Sequence, residues 1–325
     1  MRALLRLAAF AAAFVATCLA LGSRLPLPEM EDASPKWKYF RENMDRFDTV
    51  FIGSSRFRHQ IVPEIFDAHT GAASLNLGCS GMWPPESWHY LRRLLALHPP
   101  RLRWVFIELM DGKTRLDPRD AGTLRMMYWH DWRHTCMAWR AVLESTSRTP
   151  AEKRWLCAVH ARLFLRRLAN PGRGAELLRE RWRSPKKKRA PEWIATAGFE
   201  PLPPEGALRG PALADYEQRV SALKKHRPEI AARPGLVAAL RDLAAEVRRA
   251  GAQPIFVAAP TVSIGENFTG LPEDLAILFY NDPAQAPRLY EAGLHYDAGH
   301  LNEKGAAVFT GLLARDFAAR WPRTP

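Results

Sequence analysis

An open parallel α/β sheet with helices on both faces is the fold this sequence predicts, and three observations predict it. Short apolar runs rich in β-branched and aromatic residues alternate with stretches of helical periodicity. The first of those runs stops at a glycine, and the segments follow one another as strand, helix, strand, helix, strand. In sheets of this kind the ligand site lies beyond the carboxyl ends of the strands.

The elements follow in order. Residues 48–53 (Asp-Thr-Val-Phe-Ile-Gly) form a short buried strand, and residues 73–78 (Ala-Ser-Leu-Asn-Leu-Gly) a second, less hydrophobic one. Residues 86–98 are apolar at helical spacing and end in Pro99-Pro100, which cannot continue a helix. Residues 102–109 are the third strand. Residues 236–250 are a strongly periodic helix, followed by Gly251 and the strand 254–258, and the last helix runs from about Gly305 to Trp321. Between Gly112 and Pro234 basic residues crowd two helical stretches and then the run 179–189, so residues 113–234 read as a mostly helical, basic insertion in a domain spanning 48–325.

Composition narrows the function. The 325 residues carry 47 Lys plus Arg against 34 Asp plus Glu, a net charge of +13, and 47% are hydrophobic, which supports a sizeable core and excludes a disordered or fibrous chain. The four cysteines, Cys18, Cys79, Cys136 and Cys157, form no Cys-x-x-Cys pair, which excludes a zinc ribbon, a thioredoxin-type site and a disulfide scaffold. Residues 1–22 combine Arg2 and Arg6 with an uncharged stretch from Leu7 to Gly22, as a signal peptide or a membrane anchor does. Ala20-Leu21-Gly22 would suit cleavage before Ser23, whereas Leu4, Leu5 and Leu25 extend the apolar reach; Val-Ala-Thr-Cys18 is an imperfect lipobox, which argues against lipidation. Residues 23–47 read as a linker. On either alternative the remainder lies outside the inner membrane, so DNA binding in the cytoplasm loses its support. Without residues 1–22 the chain keeps 45 basic residues against 34 acidic ones, so the charge belongs to the exported part and suits an anionic envelope partner rather than nucleic acid.

The chemistry-bearing residues lie at strand ends. Gly53-Ser54-Ser55-Arg56 delivers a hydroxyl at the carboxyl edge of the first strand, where a tight turn exposes it. A serine nucleophile needs a general base within hydrogen-bond reach, and the base needs a carboxylate to fix its tautomer. Asp297 and His300, just before the last helix, are three apart, a spacing that sets both side chains on one side of a helical turn. Ser54 is the alternative hydroxyl, because adjacent strand residues face opposite ways. His295 is the alternative base, at a spacing from Asp297 that suits the pair poorly. Cys79 reads as a small buried hydrophobe rather than a thiol nucleophile.

In this order, Gly-Ser-Ser, then Asn-Leu-Gly-Cys-Ser-Gly (residues 76–81), then Asp-x-x-His-Leu-Asn-x-x-Gly-Ala (residues 297–306) resemble the SGNH (GDSL-type) hydrolase superfamily. The Gly-Ser-Ser variant and the leader resemble its extracytoplasmic branch, which includes proteins of teichoic-acid D-alanylation and alginate O-acetylation. The resemblance covers roughly residues 48–110 and 236–320. It implies a flavodoxin-like sheet, Ser55 as nucleophile, His300 as base, Asp297 as its orienting partner, and the N–H groups of Ser55 and Gly81 as oxyanion donors. One departure stands out: where the superfamily presents Gly-x-Asn-Asp, this chain has Glu108-Leu-Met-Asp-Gly112 and no side-chain amide.

The expected function is an extracytoplasmic serine esterase or O-acyltransferase acting on an acylated carbohydrate or envelope polymer, without cofactor or metal. Transfer would draw its acyl group from a membrane-bound acyltransferase partner. The alternative is a non-catalytic module of the same fold that binds glycan or scaffolds an envelope complex. His130-Asp-Trp-Arg-His134 imitates a zinc-binding His-Glu-x-x-His, but it offers no third ligand and reads as surface histidines among aromatics. The run Lys186–Arg189, near Trp182, reads as a solvated loop or as a contact for anionic glycan or lipid headgroups.

Overall fold

The computed structural model describes residues 2–24, 30, 33–111, 122–169, 191–206, 208–262 and 267–322. The chain divides into two compact units: residues 1–30 with 113–190, and residues 31–112 with 191–325.

The second unit is α/β. Strands β1 (Thr49–Ile52), β2 (Ser74–Asn76), β3 (Trp104–Glu108), β5 (Gln253–Ala258) and β7 (Ile277–Phe279) form a parallel sheet in the order β2-β1-β3-β5-β7. This is the strand order of flavodoxin-like sheets, and the order reverses at β1. The two-residue strands β4 (Ile230–Ala231) and β6 (Phe268–Thr269) pair separately. In register, Phe51 of β1 faces Phe106 of β3, and the two rings stack at 4.7 Å. Phe66 and Phe317 close on the same pair, from helices α4 (Pro63–Thr70) and α11 (Glu303–Arg320). Neighbouring strand residues point the other way, and there Ile52 lines a small cavity with Tyr90 and Leu94 of α5 (Glu86–Leu95). Helix α10 (Pro234–Arg249) buries Leu236, Leu240, Leu243 and Val247 and is tied to α5 by Arg92–Glu246 at 2.6 Å.

Two expectations change. The linker holds α2 (Ala33–Asn43), which buries Phe40 and Lys36. Residues 191–234, counted with the insertion, belong to the sheet unit, because Ala197 O accepts from Asn76 N (2.8 Å) and Tyr216 of α9 (Pro211–Lys225) is buried with its hydroxyl on Tyr290 O (3.1 Å). Between β1 and β2 the chain forms two short helices, α3 (Ser55–Gln60) and α4, with Ile61-Val62 extended before Pro63.

The first unit is helical where it is described: α1 (Arg2–Arg24), α6 (Leu124–Tyr128), α7 (Trp132–Leu143) and α8 (Pro150–Ala169). Residues 2–20 of α1 are long and apolar enough to cross a membrane, a test that a signal sequence also passes. The histidines read as surface residues are buried: His130 is 0% and His134 2% exposed. Asp131 between them is the N-cap of α7, so the two histidines do not sit on one helical face. His130 Nδ1–H donates to Met126 O (2.5 Å), so its Nε2 accepts from His160 Nδ1–H (2.8 Å), and His160 Nε2 keeps a bare, buried lone pair.

Both rings are held neutral. Burial, then His160, lowers His130 to a pKa of about 3, and burial, then Arg148, lowers His160 to about 4. Both values lie below the ordinary one of about 6.5, so the unfolded chain takes up more protons as the pH falls, and the stability is complete only above that value. Between about pH 6.5 and pH 4 this unit loses stability, by about 2 kcal/mol at pH 5 for one histidine. Hydrogen exchange corrected for intrinsic rate should therefore quicken across residues 124–169 between pH 7 and pH 5; unchanged protection would contradict the account. The run Lys186–Arg189 and Trp182 lie outside the described residues.

Candidate active site

The site is built at the carboxyl edge of β1. Any side chain at Gly53 would put its Cβ 2.5 Å from Glu108 Oε2 and 2.7 Å from Glu108 Cβ, so only glycine lets β1 end against β3 here. The chain then turns into α3 with Ser54 as its N-cap: Ser54 Oγ accepts from Arg56 N (3.3 Å), while Ser54 N donates to Glu108 Oε2 (2.5 Å). Ser54 is thereby buried at 1% exposure, and Ser55, the first helical residue, is the partly exposed hydroxyl. Glu108 also accepts from Arg56 Nε (2.6 Å), so the strand end that lacks an asparagine is occupied by an internal ion pair.

Ser55 Oγ lies 2.8 Å from His300 Nε2. His300 Nδ1 lies 3.0 Å and 3.1 Å from the two oxygens of Asp297, which fixes its proton on Nδ1 and leaves Nε2 to accept from the serine. The spacing of three is not helical. Residues 295–301 form a tight loop closed by an antiparallel bridge between His295 and Leu301, and Asp297 Oδ1 accepts from Gly299 N (2.7 Å) and His300 N (2.8 Å). Burial works against the charged form of Asp297, but the bond and charge of His300 and those two N–H groups overcome it and hold the carboxyl below its ordinary value. His295 faces away from the serine: its Nε2–H donates to Leu289 O (2.8 Å), and burial lowers its pKa. Cys79 is buried, with Sγ on Leu77 O (3.4 Å).

The tail of the histidine motif has a physical meaning at each position. Leu301 and Ala306 are fully buried, and Gly305 lies too close to Leu294 O to carry a side chain. Asn302 caps α11 through Gly305 N (3.0 Å) and donates to Gly293 O (2.9 Å) and Pro204 O (3.2 Å). Asn302→Ala removes the cap, worth about 1 kcal/mol, and two further bonds of about 1 kcal/mol each. Asn302→Asp should keep the cap and lose only the donors. The urea midpoint should fall in that order, Ala below Asp below wild type; equal midpoints for all three would remove Asn302 as the anchor of the loop.

The two N–H groups assigned to an oxyanion differ in setting. Ser55 N begins a helix, where no preceding carbonyl is available, and Gly81 sits on an exposed turn at φ 64°, a conformation that favours glycine. Neither N–H meets an acceptor among the described residues.

A network around the site escaped the sequence reading. Lys36 is 1% exposed, and its ammonium donates to Gly78 O (3.0 Å) and Gly198 O (2.6 Å) and pairs with Glu200 (3.1 Å). Arg58 bridges Ser80 Oγ (2.7 Å) and Glu200 (2.5 Å), so the turn that carries Gly81 is held from both sides. Burial lowers the Lys36 pKa, with Glu200 among the opposing charges; Glu200, despite its burial, is held below its ordinary value by Arg58 and Lys36. His59 Nδ1–H donates to Glu200 O (2.6 Å), and its ring stands edge-on to His300 with centroids 5.9 Å apart. Burial lowers the His59 pKa, so it adds no charge beside His300 at neutral pH. Arg58 and His59 follow Ser55 by three and four residues on one turn, a signal the sequence does carry. Lys36 and Glu200 are brought in only by folding.

Comparison with protein-family profiles and with curated proteins finds no match for this chain.

Proposed function

We propose that this chain is an extracytoplasmic serine esterase or O-acyltransferase of SGNH-like fold that acts on an acylated carbohydrate or envelope polymer. One observation carries the reading: the unbroken hydrogen-bonded series Ser55 Oγ, His300 and Asp297 at the carboxyl edge of a parallel sheet. In the first step Ser55 Oγ attacks the acyl carbonyl carbon while His300 Nε2 takes its proton. Asp297 stabilises the imidazolium that forms. The carbonyl oxygen becomes an oxyanion beside the N–H groups of Ser55 and Gly81, each such donor being worth about 3 kcal/mol. Collapse breaks the ester C–O bond, and His300 returns the proton to the leaving alcohol. Water or a sugar hydroxyl then repeats the sequence on the acyl-Ser55 ester, giving hydrolysis or transfer.

The partners follow from the same reading. The apolar α1 acts as a signal or an inner-membrane anchor, a membrane-bound acyltransferase supplies the acyl group when transfer operates, and the basic surface meets an anionic polymer rather than nucleic acid. The absent amide at the end of β3 favours a second reading, a non-catalytic glycan-binding or scaffold component.

The purified full chain should release chromophore from a short acyl ester and take up a serine-directed phosphonate at Ser55. Neither reaction occurring would leave the second reading. An enzyme reporter fused after Pro35 that works only in the cytoplasm would sink the export.

A further inference from the structure

We propose that the exposed face of the α7–α8 hairpin rests on an anionic phospholipid bilayer, as a second membrane contact beside α1. The proposal rests on reading α1 as a retained anchor, and it adds where the helical unit sits.

Along α8, Trp155, Ala158, Arg162 and Leu165 recur every three or four residues and are all exposed, with Trp155 at 51% and Leu165 at 59%. Leu156, His160 and Leu163 occupy the opposite side and are buried. On α7, Trp132 is 62% and Leu143 60% exposed. A helix facing water carries polar residues on its outer side, and single exposed apolar residues are ordinary. Four large ones fall on one helical pair, where the Trp132 ring also meets Phe164 of α8 at 5.8 Å, and their composition names the occupant. Tryptophan prefers the headgroup level of a bilayer, and arginine beside it meets phosphate while its stem lies along the apolar layer. Residues 122–169 carry nine Lys or Arg against three Asp or Glu, a balance that complements anionic lipid. Continuity supplies the remaining argument. Helix α1 packs on α8 within the same unit, and its Leu4, Leu5, Leu7, Phe10 and Phe14 are exposed, so a bilayer that takes up α1 comes against the hairpin.

The test uses the full chain reconstituted in vesicles of phosphatidylcholine with phosphatidylglycerol and brominated acyl chains. Residues 1–24 contain no tryptophan, so quenching reports on the folded units and not on the anchor. The wild type should be quenched, and Trp132→Phe/Trp155→Phe should lose most of that quenching. Arg154→Glu/Arg162→Glu should fall to the level seen in phosphatidylcholine alone. Circular dichroism matching the wild type confirms that the variants are folded. Equal quenching of the wild type and Trp132→Phe/Trp155→Phe overturns the proposal. Shielding of both tryptophans from acrylamide in native membranes, without quenching by pure lipid, identifies a protein partner and also overturns it. Release of the chain by alkaline carbonate speaks against the anchor alone, because quenching by vesicles added from outside still decides the surface.

Discussion

Ser55→Ala and His300→Ala should each lower ester turnover by a factor on the order of 10⁴ to 10⁶, with the fold intact. The two effects should not add. With Oγ gone, His300 has no proton to take; with the imidazole gone, Ser55 stays a neutral alcohol, so the double variant should match either single one. Asp297→Asn should be nearly as severe, because an amide cannot favour the Nδ1–H tautomer that leaves Nε2 free for Ser55. Ser54→Ala is the control: its hydroxyl is buried in a cap, so it should cost about 1 kcal/mol of stability and spare most of the rate. Single-turnover kinetics on the five variants checks this. A Ser54→Ala enzyme as inactive as Ser55→Ala would reassign the nucleophile.

The second large effect is structural. Phe106→Ala should destabilise the sheet unit by about 3 to 5 kcal/mol, a large fraction of the roughly 5 to 15 kcal/mol that holds a domain together. Phe106 is fully buried, stacks on Phe51 at 4.7 Å and packs edge-on against Phe66 and Phe317 at 5.2 and 5.3 Å. Truncation empties the middle of that cluster, and the three surrounding elements β1, α4 and α11 would have to shift to refill it. Phe106→Leu keeps much of the volume and should cost less than half as much. Urea denaturation followed by near-ultraviolet dichroism measures both, and a Phe106→Ala midpoint equal to wild type would show that the aromatic cluster is not the core.

What could be read beforehand follows from where the physical signal is local. Val50, Phe51 and Ile52, and Val105, Phe106 and Ile107, are buried on both faces, so their apolar runs announce strands without context. Strand β7 is three residues at the sheet edge with Phe279 partly exposed, too short and too mixed to stand out. Helix α2 hid because one of its buried residues is Lys36, which a hydropathy pattern counts as surface. Asp297 and His300 were legible as a pair, but their spacing of three fits both a helical turn and a carboxylate-capped loop, and the loop is what forms. The supports around them were illegible for a different reason: Lys36, Arg58 and Glu200 are separated by more than a hundred residues in part, and no local rule couples them.

Thr310 of α11 donates to Gln60 O and accepts from Val62 N, both at 3.0 Å, and Gln60 Nε2 reaches Gly299 O at 3.3 Å. The helix that bears the serine is therefore stitched to the last helix of the chain and to the loop that bears the histidine. During synthesis Ser55 is made 245 residues before its base. Until α11 and the loop before it dock, Ser55 Oγ lacks its His300 partner. The fold thus acts as a timer: the Ser55–His300 contact forms only once the segment carrying His300 has been made and packed, and no shorter N-terminal fragment carries it.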